Sequence, residues 1–127
     1  MSWDNELNEM AQRANLAEAM GGEEKVARQH EFNKLTIRER IAHIADADSF
    51  HEIGKLAGVG EYDDDGNLTH LTPSNFVFGT AEIDDRPVIL SGDDFTVRGG
   101  SADASIAGKR TQAELSLIHI RRCRRRG

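Results

Sequence analysis

The stretch from Phe76 to Leu90 limits the possible folds more than any other part of the chain. Phe76, Phe78, Thr80 and Glu82 alternate with Val77, Gly79, Ala81 and Ile83, Asp84-Asp85 follows, and Pro87-Val88-Ile89-Leu90 returns. A period of two residues interrupted by a polar dipeptide predicts an antiparallel β-hairpin. Pro87 falls near the start of the returning strand, where a missing amide donor is tolerated. A two-stranded hairpin is marginal in water by itself, so the rest of the chain has to supply further strands or a covering layer.

Helices are the first candidates for that layer. Trp3, Leu7, Met10, Ala14 and Ala17 recur at spacings of three and four, which predicts an amphipathic helix over residues 2–20. Ser2 or Asp4 is its expected cap, and Gly21-Gly22 its expected stop. The stripe is narrow and partly alanine, so it has to dock on something larger. A second short helix is expected over Glu23–Phe32. Thr36 and Glu39 have capping-box spacing, and Ile37, Ile41 and Ile44 then share one face of a third helix that turn residues end at Asp46–Ser49. Phe50–Ile53 is a candidate short strand, and residues 57–74 are expected to be a glycine-rich acidic loop. Asp63-Asp64-Asp65-Gly66-Asn67 invites comparison with a calcium loop, but the sixth position is Leu68 and the twelfth Ser74, where glycine and a bidentate glutamate are required. Beyond the hairpin, Phe95-Thr96-Val97 is strand-like. Gly99-Gly100 breaks it, and Ser101 is placed to cap a helix running to about Glu114, with Asp103 in its first turn. The order is helices and then a ββα unit whose sheet calls for further strands. That predicts an α/β fold that is incomplete, with a helical segment over 1–49 and the start of a sheet domain over 50–114.

Residues 115–127 stand apart. Five of the 16 Lys and Arg residues lie in the last seven positions, leaving 11 basic against 22 acidic side chains in residues 1–114, a net of −11. A body so acidic repels a nucleic acid backbone, whose binding is led by phosphate neutralisation. Leu115–Ile120 is the translation of a transposase mosaic end used in sequencing libraries, and Arg121-Arg122-Cys123-Arg124-Arg125 fits the adapter that follows it. The expectation is an adapter-derived, non-native tail over 115–127; the rival is a basic arm for nucleic acid or acidic lipid, whose DNA binding would depend steeply on salt. The only cysteine, Cys123, falls in this tail, so the remainder has no thiol chemistry. His30, His43, His51, His70 and His119 lack ligand spacing, and no metal site is expected. No apolar run approaches the ~20 residues of a membrane span, and the acidic N-terminus is unlike a secretory signal. The expected location is cytoplasmic.

The most chemical feature is Gly99-Gly100-Ser101. Two glycines at a strand-to-helix junction let the backbone approach a ligand, and free amides at a helix start can hold an oxygen or phosphate. Four segments extend this reading. Leu35-Thr36-Ile37-Arg38-Glu39-Arg40-Ile41 resembles the K-L-T-x-R-E-R-I segment of the carboxyltransferase subunits of biotin-dependent acyl-CoA carboxylases. Asp46-Ala47-Asp48-Ser49-Phe50, followed by Glu52, matches that family's D-x-x-S-F. Gly79 to Val88 matches its G-x-x-x-I-D-G-R-P-V except that Asp85 replaces the turn glycine, and Asp94 to Ser101 matches D-F-T-V-x-G-G-S. The resemblance covers about residues 25–113.

The resemblance implies a crotonase-like fold of repeated ββα units, of which this is an N-terminal part. It implies proton removal beside a thioester and transfer of a carboxyl group from carboxybiotin to an acyl-CoA, with biotin carried on a partner and not bound covalently here. Implied partners are the acyl-CoA, biotin carboxyl carrier and biotin carboxylase components, and further copies of the subunit. Gly99, Gly100, Ser101 and Arg98 become candidates for lining the acyl-CoA pocket, and Arg86, Lys109 and Arg110 for meeting CoA phosphates. No catalytic residue is assigned: the later S-G-G-A-R-like oxyanion motif of the family is absent, so the chain by itself is expected to be inactive. The alternatives are part of a biotin-dependent decarboxylase of the same family, and a non-catalytic acidic interaction module.

Overall fold

The computed structural model describes residues 2–101, 106 and 108–124, with side chains through residue 117. At its centre the expected hairpin forms as β4 (Phe76–Ile83) and β5 (Arg86–Asp93), paired from Phe76 opposite Asp93 to Ile83 opposite Arg86. Asp84 and Asp85 both take positive φ, 50° and 62°, as a turn matched to strand twist requires. No glycine relieves them, and an outside brace does so instead. The Asp46 carboxylate accepts the amides of Asp84 at 3.1 Å and Asp85 at 2.9 Å. The Ser49 hydroxyl donates to Asp46 O at 2.7 Å and accepts the Glu82 amide at 3.1 Å.

A short β1 (His51–Ile53) joins the free side of β4, giving the order β1-β4-β5. The close approach depends on Gly79, where an added Cβ would lie 2.2 Å from His51 O. β4 is buried on both faces. Val77 packs with Met20, Ile41 and Val97, while Phe76 and Phe78 pack with Ala113. So α3 (Ile37–Ile44) covers one side of the sheet and α4 (Lys109–Arg124) the other.

The capping box at α3 is complete: Glu39 N donates to Thr36 Oγ1 at 3.3 Å, and Thr36 N donates to Glu39 Oε2 at 2.7 Å. His30 approaches the same carboxyl at 2.8 Å. The His30 contact and the Thr36 amide hold the Glu39 carboxyl below the usual carboxylate range. Arg38 grips Glu52 with both guanidinium nitrogens, one at 2.9 Å, which ties α3 to β1. Asp94 is 0% exposed. It accepts Ile37 N at 3.2 Å and Thr96 N at 2.7 Å, fastening the end of β5 to the start of α3.

Several expectations need correction. Residues 57–74 are not a loop but a second hairpin, β2 (Gly58–Tyr62) and β3 (Leu68–Pro73), forming a separate two-stranded sheet. Gly58 marks close packing there, since a Cβ would meet Thr72 O at 2.6 Å. The acidic stretch is only its tip, where Asp63 accepts the amides of Asp65 at 3.0 Å and Asn67 at 2.8 Å. Phe95–Val97 is not a strand: β5 ends at Asp93, and the Asp94 carboxylate captures the Thr96 amide and turns the chain away. Helix α4 is described from Lys109 onward, while residues 102–105 and 107, where the helix is expected to begin with Asp103 in its first turn, lie outside the described residues. It crosses position 115 without a break.

The first helix, α1 (Asp4–Glu18), has no side-chain bond from its cap Trp3, although Ser2 Oγ accepts Asp4 N at 3.3 Å. It ends before the glycine pair. Met20 already has φ 51°, and Gly21 serves a close approach, its would-be Cβ 1.9 Å from Thr96 O. The second helix, α2 (Glu23–Glu31), follows as expected.

Candidate functional site

Once Asp94 has turned the chain, Val97 is buried in the core and the next three residues are forced into a tight reversal. Arg98, Gly99 and Gly100 all have positive φ, 46°, 62° and 74°. The two glycines adopt this freely, whereas Arg98 takes it at a steric cost of about 1–2 kcal/mol. Gly100 N donates to Val97 O at 3.0 Å and Ser101 N to Arg98 O at 3.1 Å, a single 3₁₀ turn. Asn75, fully buried, donates from Nδ2 to Ser101 O at 2.7 Å and accepts Asp94 N on its own carbonyl at 2.8 Å. The reversal is thus clamped from Asn75, the residue just before β4. Its Gly100 and Ser101 amides are consumed inside it, so they do not form the open amide cradle the sequence led us to expect. What the turn does present is the Arg98 side chain and the bare backbone of Gly99.

Two grooves meet at this turn. One, of about 310 Å³, runs between the end of α1 and β3, with Leu16, Met20, Leu71, Pro73 and Val97 among its walls and Lys25 and Arg98 at its rim. The other, of about 290 Å³, lies between α2 and residues 95–99, lined by Lys25, Arg28, Gln29, Phe32, Phe95, Thr96, Arg98 and Gly99. Among the described residues no carboxylate lines either groove, in a chain with 22 acidic residues. Phe32 and Phe95 stand 63% and 67% exposed, two large rings left in solvent beside three cations.

The cations expected to join this site do not all do so. Arg86 sits at the turn end of β5, about 23 Å along the strand from Asp93. Arg110 pairs with Asp93 and lies over the Phe76 ring, 4.6 Å from its centroid. Lys109 is buried at 8% exposure, and desolvation lowers its pKa against the opposing pull of Glu52. Lys25, Arg28 and Phe32, which do line the groove, were missed. They share a face of α2 at spacings of three and four, a signal present in the sequence but overshadowed by the glycine pair. Elsewhere, oxygens of Asp46, Glu82 and Asp85 lie within 4.8 Å of one another, but those of Asp46 are occupied by the turn amides.

No family model matches the chain. Individual relatives do. Over 109 residues it is 31% identical to the carboxyltransferase subunit of propionyl-CoA carboxylase from Haloferax mediterranei, covering 86% of this chain and 21% of that one. It is 36% identical over 91 residues to the alpha subunit of methylmalonyl-CoA decarboxylase from Veillonella parvula, covering 72% and 18%. Its fold is similar to the crystal structure of transcarboxylase 12S, a hexamer assembly with methylmalonyl-coenzyme A and methylmalonic acid bound. There the TM-score is 0.74 and the identity 30%, over 94% of this chain and 24% of that one. The chain's homologues are carboxyltransferase subunits of biotin-dependent acyl-CoA carboxylases. It spans about a fifth of the length of the relatives it matches, and its α/β fold is the crotonase-like one.

The structure gives the four sequence segments definite roles. Thr36 to Ile41 is the capped α3, Asp46 to Glu52 is the brace and β1, Gly79 to Val88 is the braced hairpin, and Asp94 to Ser101 is the buried carboxylate and its turn. Most of these shared residues maintain the layer that positions the grooves. Among the described residues no helix is long and apolar enough to cross a membrane.

Proposed function

We propose that the chain is the acyl-CoA-side portion of a carboxyltransferase that moves a carboxyl group from carboxybiotin to an acyl-CoA. The observation that carries this is the pair of grooves that share Lys25 and Arg98 and are lined by no carboxylate among the described residues, in a chain whose relatives act on CoA thioesters. Arg98 and Gly99 line the substrate path, while Gly100 and Ser101 shape the turn that presents them. Biotin, arriving on a carrier partner, supplies the carboxyl group. The Gly100 and Ser101 amides here are already engaged, so they do not stabilise the thioester oxygen, and the chain by itself is expected to be inactive. Residues 1–49 form the helical entry, 50–114 the start of the carboxyltransferase domain, and 115–127 the adapter-derived tail. The setting is cytoplasmic.

A second reading, part of a decarboxylase, is favoured by the 36% identity to the Veillonella subunit. One experiment addresses both. Residues 1–114 replace the matching segment of the Haloferax subunit, and the chimera is assayed for carboxylation of propionyl-CoA and for decarboxylation of methylmalonyl-CoA. Activity that falls at least tenfold with Arg98→Ala in the assembled chimera supports the proposal. An assembled but inactive chimera, or one indifferent to Arg98, overturns it.

A further inference from the structure

Helix α2 is formed without being packed. It buries none of its nine residues, whereas a helix this short ordinarily depends on an apolar face pressed against a neighbour. Val26 and Gln29 are only half-buried, and the space beside them is not filled. Besides the two grooves already described, a third of about 210 Å³ is lined by Gln29, Ile37, Arg40 and Phe95. Three gaps thus adjoin a single helix, in a molecule whose β4 is covered on both faces. An unfilled side forfeits dispersion contacts, and an element with few buried contacts opens before the fold as a whole does.

The ends of α2 are suited to bending. Gly21 is fixed, its amide donating to Thr96 Oγ1 at 3.1 Å and its backbone lying against Thr96 O. Gly22 follows with φ 96° and no atom within 4 Å of the Cβ it lacks, so a conformation natural only to glycine stands in open space directly before the helix. At the far end Asn33 has φ 55°, which asparagine tolerates better than most residues. Between these points, among the described residues, one side-chain contact joins α2 to another element. His30 Nε2 meets both oxygens of the Glu39 carboxyl, at 2.8 and 3.0 Å. Both side chains are more than a third exposed, and a pair so exposed is a weak tie.

The geometry points to a hinged strap: α2 pivots at Gly22, is latched near its far end through His30 to Glu39, and by swinging widens or narrows the grooves beside it. Lys25 and Arg28 ride on the strap, so its position sets how near these cations stand to Phe95 and Arg98. The latch carboxyl is also the one that accepts Thr36 N in the α3 capping box, so closing the strap and capping α3 draw on the same group. The motion is a property of the chain alone, whatever the grooves hold.

The test uses the full 127-residue chain with its one cysteine removed by Cys123→Ser. Spin labels are placed through Ala27→Cys on α2 and Arg86→Cys at the turn end of β5, both exposed positions, and pulsed electron resonance reads the distance between them. Two distance populations are expected. His30→Ala should raise the ratio of open to closed at least threefold, and His30→Gln, whose amide can still donate to Glu39, should return most of the closed population. Hydrogen exchange on the unlabelled chain is an independent measurement, since a helix of this length frays once it leaves its support. The amides of residues 27–31 are expected to exchange at least tenfold faster than those of residues 41–44 in α3, and faster still in His30→Ala, with β4 unchanged. A single distance indifferent to His30→Ala, or α2 protected as well as α3, would overturn the strap. So would His30→Ala speeding exchange equally in α2 and β4, which would make the contact part of general stability and not a latch.

Discussion

The β4–β5 hairpin and the β2–β3 hairpin share antiparallel pairing but differ in what surrounds them. The first is a middle layer. β4 has α3 on one face and α4 on the other, and Phe78 is 1% exposed. The second is an outer flap covered on one side by α1, where Gln12 donates to Leu68 O at 3.1 Å and Tyr62 donates to Glu9 at 3.0 Å, while Val59 stays 62% exposed. The turns differ likewise. Asp84-Asp85 is braced from the α3–β1 linker, whereas the 63–67 turn is held by its own Asp63. Stability is therefore expected to follow enclosure rather than strand pairing, and the candidate site lies where the enclosed layer meets the flap.

The strongest way to break that contrast is truncation in each hairpin. Phe78→Ala is expected to cost about 3–5 kcal/mol in denaturant unfolding, enough to unfold a marginal domain. Val59→Ala is expected to cost less than about 0.5 kcal/mol because its side chain is already in water. Equal losses would show that the flap is as integral as the centre. Thr36→Ala comes next. It removes half of the capping box and should cost about 1 kcal/mol by the same measurement. Hydrogen exchange sharpens the comparison further: β4 amides are expected to be protected to near the global unfolding limit, and those of β2 to open locally and sooner.

The smallest effect is one of pH. The Glu39 carboxyl titrates lower in the folded chain than in the unfolded one, so its contribution is fully present above the ordinary glutamate pKa. It is lost as pH falls through the lowered folded value. Glu39→Gln keeps a side chain able to accept the Thr36 amide but removes the charge facing His30. Its stability should therefore vary less with pH across that acid window, as followed by thermal unfolding at a series of pH values. A variant with an unchanged pH profile would show that the His30 contact contributes nothing.

Much of the enclosed layer was legible because each piece carries a local signal. The capping box at Thr36 and Glu39, the alternation from Phe76 to Ile83 and the positive φ at Asp85 are properties of short segments. The flap was not. Gly58 and Gly60 look like loop residues, and only the carbonyl of Thr72 and the side chains of Leu68 and Arg13 lying over them show why glycine is there. The fate of Phe95–Val97 depended on one bond, from the Thr96 amide to a carboxylate two residues earlier, which strand propensity cannot weigh. At the candidate site the glycine turn was visible, yet its amides proved to be engaged. The α2 face opposite was readable by helical spacing, but nothing local pairs it with Phe95, more than 60 positions away in the chain.

The brace on the Asp84-Asp85 reversal has a consequence for how the chain is made. Asp46 precedes the first amide it holds by 38 positions, so on a ribosome, where N-terminal parts emerge first, the bracing residues are made before the turn they hold. The brace closes only when Glu82 arrives to bond the Asp46 amide and the Ser49 hydroxyl, so an error at Asp46 or Ser49 is expected to surface as a mispairing far downstream of the altered codon.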